Sequence, residues 1–415
     1  MQFENLLAKR TENMGASAIR ETLKVISQPG MISLGGGMPA PESFPMEIIN
    51  QLCSRVLEIY SSDSLQYGPS EGFAPLRETL TEYLAEKGVS ATSDDIIITS
   101  GSQGALDTIG KILIYHGDKI AVEAPTYLGA ISAFNPYEPK YISLVTDDNG
   151  LVPEALDEML SETKVKFIYL IPTFQNPTGR TIPLERRRRI ADIIIRHNAL
   201  LVEDDPYNAL RFRGTDIPPI KTMAPDNVVY ISTFSKILSP GMRLGFCVAP
   251  KLIKDWMVLA KQGVDLHTNT FSQAVASEYL AGGYLKKHLP LIVDVYRRKH
   301  SAMLTALDKY FPDELKWSRP DGGMFIWAVG PSYLDTEALY WKAIKKNVAY
   351  IPGKYFYTEE KKGNNAMRLN FTMADDATLD RAVKILADVL REEMNHESVN
   401  SEWRDTAVPH RTGTD

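Results

Sequence analysis

Short apolar runs alternate with longer amphipathic stretches through the middle of the chain. Strand-length runs fall at "DIIIT" (95–99), "KIAVE" (119–123), "KFIYLI" (166–171), "ALLVED" (199–204), "VVYIS" (228–232) and "LGFCVA" (244–249). Four are continuous apolar runs, the pattern of strands covered on both faces. Helix-length segments separate most of them. One is "IPLERRRRIADIIIRHN" (182–198), where Ile190, Ile193 and Ile194 make an apolar stripe. The alternation predicts an α/β domain with a mainly parallel sheet flanked by helices.

The ends read differently. "SAIRETLKVIS" (17–27) predicts a helix, with Ser17 as N-cap and Ile19, Leu23 and Ile26 at helical spacing. "MISLGGGMPAPESFP" (31–45) is rich in Gly and Pro and predicts a loop. "DATLDRAVKILADVLREEM" (376–394) predicts an amphipathic helix with Leu379, Val383, Leu386 and Leu390 on one face. The expected organisation is an N-terminal arm and loop (1–45), a large domain (46–295), a smaller C-terminal α/β domain (296–396) and a polar, frayed tail (397–415).

Composition narrows the class. The 415 residues are 44% hydrophobic and 24% charged, with a net charge of −6, so neither nucleic acid nor a membrane is an expected partner. Within that acidic total, the quartet Arg186–Arg189 reads as a solvated helix face. The two cysteines, Cys53 and Cys247, sit among apolar residues and read as packing, which favours a reducing compartment. The N-terminus lacks the apolar core of a secretory signal, and no apolar run is long enough to span a bilayer. The expected location is cytoplasmic.

Several tempting motifs fail. "GGGMPA" (35–40) fits a dinucleotide fingerprint, but Pro39 and Pro41 forbid the helix that must start there. "GALDTIGK" (104–111) has the wrong glycine spacing for a phosphate-binding P-loop and Ile112 after its lysine. No two histidines fall three to five residues apart, so no metal is expected. A G-x-S-x-G elbow is absent.

The segments just after the predicted strands are more informative. "SGSQGAL" places Ser102 and Gln103 at a helix N-terminus, where free N–H groups and the dipole favour a phosphate. "APTYLG" offers Tyr127, "PTFQNPTG" offers Asn176, and "EDDPY" offers Asp204 and Tyr207. "STFSKILSPGMRLGF" offers Thr233, Ser235, Lys236 and Arg243. The C-terminal ends of parallel strands share one crevice, so these groups converge there. A phosphate cradle, an aromatic plate, an amide, a carboxylate, a phenol and an amine together match pyridoxal 5'-phosphate. Singly, each has an ordinary reading: Asp204 as a helix cap, Asn176 as a turn residue, Tyr127 as packing, and Arg243 and Arg368 as ion-pair partners. Lys236 fits that kind of reading least, because an ammonium beside an apolar strand is costly to desolvate.

In this order, "QNPTG", "EDDPY" and "STFSKILSPGMRLGF" resemble the fold-type I, class I/II aminotransferases. "SLGGGMPAPESFP", "QYGPSEG", "APTY", "DGGMFIW" and "MRLNF" extend the resemblance over nearly the whole chain. The variants are most similar to the 2-aminoadipate, kynurenine and aromatic aminotransferase subgroup. The resemblance implies that Lys236 binds the cofactor's aldehyde and later serves as base, while Asp204 pairs with the ring nitrogen. It implies that Asn176 and Tyr207 bond the phenolic oxygen and that Tyr127 stacks on the ring. Ser102, Gln103, Thr233, Ser235 and Arg243 would hold the phosphate. Tyr67 would reach the phosphate of a neighbouring subunit, which implies a homodimer with shared active sites.

Arg368 would clamp the substrate α-carboxylate, with Asn176 beside it, and Gly36 would line the substrate pocket in a loop covering the site. Arg20 matches an arginine that contacts a distal substrate carboxylate in some relatives, and it reads equally well as a surface residue. The implied reaction moves an amino group from an L-amino acid to a 2-oxo acid, 2-oxoglutarate by expectation, in ping-pong fashion. The donor would be 2-aminoadipate, an aromatic or a branched-chain amino acid. A β-lyase or decarboxylase would use the same lysine, and a regulatory or binding protein with an aminotransferase-like domain is the alternative of another class. Such a regulator needs a DNA-binding domain ahead of this one, and the arm and loop start almost at Met1.

Overall fold

All six apolar runs become strands of one sheet. A computed structural model describes residues 3–14 and 28–406, and the expected 17–27 helix, with Arg20, lies outside the described residues. In chain order the strands are β1 (Ile32–Ser33), β2 (Ile96–Thr99), β3 (Lys119–Glu123), β4 (Lys140–Leu144), the small hairpin β5 (Thr146–Asp147) and β6 (Gly150–Leu151), β7 (Ile168–Leu170), and β8 (Leu201–Asp204). They continue as β9 (Val228–Thr233), β10 (Gly245–Val248), β11 (Lys316–Trp317), β12 (Phe325–Val329), β13 (Val348–Ala349), β14 (Ile351–Pro352) and β15 (Ala366–Asn370).

The large sheet has seven strands in the order β2-β10-β9-β8-β7-β3-β4. Only β10 runs against its neighbours; the other pairs are parallel. Its centre is covered on both faces, which is why the central strands read as unbroken apolar runs. Residues alternate between the two sides with period two. Tyr169 and Val202 face the core that holds Ala105, Leu106 and Ile109 of the Gly101–Leu113 helix. Ile168, Leu170 and Leu201 face Ile190 and Ile194 of the Leu184–Arg196 helix. Each such side chain fully buried contributes on the order of 1.5–3 kcal/mol.

The smaller sheet, β11-β12-β15-β14, is antiparallel throughout. The Asp376–Thr406 helix lies beside it and runs past the expected end at 394, with Leu379, Val383, Leu386 and Leu390 all buried. β1 pairs with β13, and the chain continues past β15: Leu34 donates its N–H to Ala349 O and its carbonyl accepts from Asn370 N. That double tether aims Gly35–Gly37 at the crevice between the two sheets.

Two readings need correction. β4 escaped notice because "KYISL" lies at the sheet edge with its middle only half buried, so its apolar signal is diluted. The arginine quartet is not uniformly solvated. Arg186 and Arg189 pair with Asp147 and Glu154, whereas Arg187 is buried. Among the described residues no helix is long and apolar enough to cross a membrane.

Candidate active site

Lys236 ends the short turn Phe234–Lys236 that comes after β9. Thr233 holds that turn, its hydroxyl oxygen accepting from Ser235 N at 3.1 Å and lying 2.9 Å from Ser235 Oγ. The Lys236 amine donates to Gly37 O at 2.9 Å. Burial, helped by the charges of Arg368 and Arg243, pushes its pKa down to about 8. An amine so placed spends a large fraction of its time neutral near pH 8, as a nucleophile or base requires.

Asp204 closes β8 and is buried. Tyr169 donates its hydroxyl to Oδ2 at 2.9 Å, while Oδ1 is buried with no hydrogen-bond partner. Burial raises the carboxyl to about pKa 7, Tyr169 opposes that rise, and neighbouring Asp205 adds to it. Lone acceptors this deep are rare unless something else completes them.

Backbone closes the opposite end of the cavity. Gly101 starts the 101–113 helix at φ +73°, and a Cβ there would stand 2.8 Å from Arg243 Nη2. A Cβ on Gly245 of β10 would stand 2.6 Å from Gly101 C and 2.8 Å from Ser102 N. Only glycine lets the helix start, the strand and the guanidinium come this close. Arg243 is itself in the left-handed region, at φ +54°, with Nη2 donating to Ser100 O at 3.3 Å. The helix start leaves the N–H groups of Ser102 and Gln103 free for an anion. The Gln103 side-chain amide is turned away, to Gly129 O at 2.8 Å.

Between these ends Tyr127 precedes the Leu128–Phe134 helix, and Asn176 donates to Tyr207 Oη at 3.4 Å. Arg368, central in β15, is buried, with Nη1 on Asn176 Oδ1 at 2.8 Å and Nη2 on Gly35 O at 2.6 Å. Its Nε has no partner, and its guanidinium lies 4.2 Å from the Phe325 ring and 5.1 Å from the Phe356 ring. Burial lowers its pKa to about 10, still high enough to stay charged at neutral pH.

Apart from Tyr169 and Phe356, these side chains line one cavity of about 260 Å³ together with Gly36. Twelve of the fourteen residues singled out in the sequence are therefore together. Tyr67 is not among them: it is exposed and meets His267 edge-on at 5.7 Å. Arg20 is outside the described residues. Sequence reasoning missed Tyr169, Phe325 and Phe356. A lone tyrosine in "KFIYLI" was the one signal for the first, Phe325 lay unremarked within "DGGMFIW", and nothing local marked Phe356.

The family model for aminotransferase class I and II matches residues 48–386. The chain belongs to this family. An aromatic-amino-acid aminotransferase of Thermococcus litoralis is 45% identical over 402 residues, covering 95% of this chain and 96% of that one. The solved Pyrococcus horikoshii kynurenine aminotransferase in complex with PMP has a TM-score of 0.91 at 45% identity, over 94% of this chain and 98% of that one. The Thermus thermophilus α-aminoadipate aminotransferase complexed with N-(5'-phosphopyridoxyl)-L-leucine has a TM-score of 0.89 at 36% identity, over 95% and 100%.

This aminotransferase thus has the fold-type I architecture and is a pyridoxal-phosphate-dependent transaminase. Its cavity fits that cofactor on its own terms. The unpartnered Asp204 Oδ1 suits a protonated ring nitrogen, the Gly101–Ser102 cradle and Arg243 suit a phosphate, and the depressed Lys236 amine suits an aldehyde.

Proposed function

We propose that this aminotransferase takes its amino group from an L-amino acid with a large apolar side chain, an aromatic one first, and passes it to 2-oxoglutarate by a ping-pong route. One observation carries the reading: a buried amine, a buried carboxylate with a spare oxygen and a buried guanidinium with a spare donor share one cavity. When bound, pyridoxal phosphate supplies an aldehyde that captures the substrate amine and a ring that takes up the electron pair left as the Cα–H bond breaks.

The chain's residues then divide the work. Lys236 would hold the cofactor's aldehyde and, as the free amine, would carry the proton from Cα to the former aldehyde carbon, and back again in the second half of the reaction. Asp204 keeps the ring nitrogen protonated. Arg368 fixes the α-carboxylate of donor and acceptor alike, which orients the Cα–H bond toward Lys236. To do so it exchanges Gly35 O for the substrate's carboxylate, so Gly35–Gly37, with Gly36 at their middle, shift as substrate enters. Asn176 and Tyr207 hold the phenolic oxygen, and Tyr127 covers the ring. Ser102, Gln103, Thr233, Ser235 and Arg243 anchor the phosphate.

An apolar donor is supported by the walls. Among the described residues Met38, Phe325 and Ile351 line the cavity near Arg368, and Lys236, Arg243 and Arg368 are the lysines and arginines that line it. The aromatic and kynurenine relatives at 45% identity point the same way. A 2-aminoadipate donor would need a further cation, the part assigned to Arg20.

The test is a single-turnover spectrum of cofactor-loaded protein mixed separately with phenylalanine, kynurenine, leucine and 2-aminoadipate. Fastest loss of the visible cofactor band with phenylalanine or kynurenine is expected. A band bleached only by 2-aminoadipate overturns the apolar preference, and carbon dioxide or free ammonia released from the donor in place of its 2-oxo acid overturns transfer itself.

Three coarser readings accompany this one. A homodimer is supported by Tyr67, exposed and outside its own cavity, where it is free to complete a partner's phosphate site. A division at 45, 295 and 396 is supported by the confinement of the second sheet to residues 316–370. Cytoplasmic placement is supported by two free cysteines, one of them buried with its thiol pushed up to about 12.

A further inference from the structure

Tyr169 does not itself line the cavity, yet its hydroxyl is the one donor to the Asp204 carboxylate among the described residues. Its position is set by sheet register. β7 and β8 are parallel, Tyr169 stands opposite Val202, and Asp204 lies two residues further on the same face. A diagonal neighbour at that spacing is within reach of an aromatic or other long side chain. The ring is fully buried and held edge-on by Phe134 at 5.9 Å, so the hydroxyl has little freedom to leave.

We propose that Tyr169 is a positioning residue that turns Asp204 Oδ1 toward the cofactor's ring nitrogen and holds the negative charge there. The inference rests on the reading that Asp204 faces that nitrogen. A carboxylate with a donor on one oxygen cannot rotate without breaking that bond, so the other oxygen keeps its aim. The donor is neutral, and this matters. A lysine or arginine in the same place would cancel the charge the ring nitrogen needs, whereas a phenol stabilises the ionised carboxylate and leaves its charge for the nitrogen.

Burial opposes ionisation of the carboxyl, and so does Asp205, which follows just past the end of β8; Tyr127 and Tyr207 approach from the cavity, and Glu123 on β3 lies near Tyr169. Lys236, Arg243 and Arg368 stand around the same cavity, and none of them bonds to Asp204. The Tyr169 hydroxyl is thus the contact that directly favours the charged form.

The test compares holoenzymes loaded with pyridoxal phosphate carrying 15N in its ring. In Tyr169→Phe the 15N resonance is expected to move from the protonated toward the unprotonated position. kcat should fall roughly ten- to a hundred-fold with little change in KM, as for loss of a hydrogen bond to a charged group. The acid limb of kcat should move up by about one pH unit, because Asp204 without its donor protonates more easily. In an Asp204→Asn background, Tyr169→Phe should change none of these further.

A Tyr169→Phe protein that melts at a lower temperature but keeps the wild-type resonance and acid limb would overturn the proposal and leave Tyr169 a packing residue. If Tyr169→Phe fails to fold, 3-fluorotyrosine in place of Tyr169 keeps the shape and strengthens the donor. The acid limb should then move down, and an unmoved limb counts against the proposal. A resonance that Asp204→Asn leaves unchanged sinks the Asp204 reading together with this one, and the Asp204 variant by itself identifies which failed.

Discussion

Arg187 and Arg368 are buried almost equally, at 1% and 4% exposure, in opposite kinds of surroundings. Arg187, on the Leu184–Arg196 helix, spends every nitrogen. Nε donates to Ile182 O, Nη1 to Ile217 O and Pro218 O, and Nη2 to Pro172 O and Thr173 Oγ1, over 2.8–3.4 Å. Arg368 leaves Nε unpartnered, holds one backbone carbonyl from a glycine loop and faces open space. Depth alone does not separate a guanidinium that fastens loops from one with donors to spare for a ligand; the count of satisfied donors does.

Arg368→Ala puts this contrast under the greatest strain. Loss of the proposed clamp on the substrate carboxylate should lower kcat/KM by about a thousand-fold, about 4 kcal/mol, while the melting temperature holds or rises because an incompletely paired buried charge is gone. Steady-state kinetics and calorimetry on one preparation check both halves. Arg187→Met should do the reverse. Five acceptors in two loops lose their donor, and stability should fall by roughly 3 kcal/mol in urea titrations, with kcat of the folded protein little changed. A thousand-fold activity loss in Arg187→Met without unfolding would erase the distinction.

A milder loss refines it. Asn176→Ala removes the acceptor that steadies Arg368 Nη1 and the donor to Tyr207, and kcat/KM should drop by about tenfold, about 1.4 kcal/mol, in the same steady-state assay.

The weakest signal is a pH dependence. Asp204 folded has a pKa near 7, above its ordinary value near 4, so the folded state binds its proton more tightly than the unfolded one. Its contribution to stability is complete below about pH 4 and is lost as pH rises through about 7. Cofactor-free Asp204→Asn should therefore gain on wild type by a few degrees of melting temperature from pH 5 to pH 8. A difference that is flat with pH would contradict that placement of the carboxyl.

The same contrast shows what the sequence could reveal. β8 and β9 were legible because burial on both faces leaves an unbroken apolar run, and the chemistry at their ends was legible because parallel strands share one crevice. Lys236 stood out as an ammonium where an ammonium is costly. Arg187 was hidden among Arg186, Arg188 and Arg189, since a helix face has no local sign of which arginine will find carbonyls from two distant loops. Tyr169 was hidden for a related reason: its value lies in register with another strand, and pairing across a sheet leaves no trace in the residues on either side of it. Phe325 and Phe356 meet Arg368 only after β12 and β15 have paired.

The three contacts that shape the cavity's mouth span long stretches of chain: Lys236 to Gly37 over 199 residues, Arg368 to Asn176 over 192, and Arg368 to Gly35 over 333. Closing such loops comes late and slowly during folding, because the entropy lost in bringing the ends together precedes any return from contact. A nascent or half-folded chain thus has no place for the cofactor, and only the finished molecule is rewarded by it. Ligand present at a hundred times its dissociation constant adds about 2.7 kcal/mol to that finished state alone. In a cell short of vitamin B6, the first symptom in this protein would be a shorter lifetime of the whole chain, ahead of any change in its kinetics.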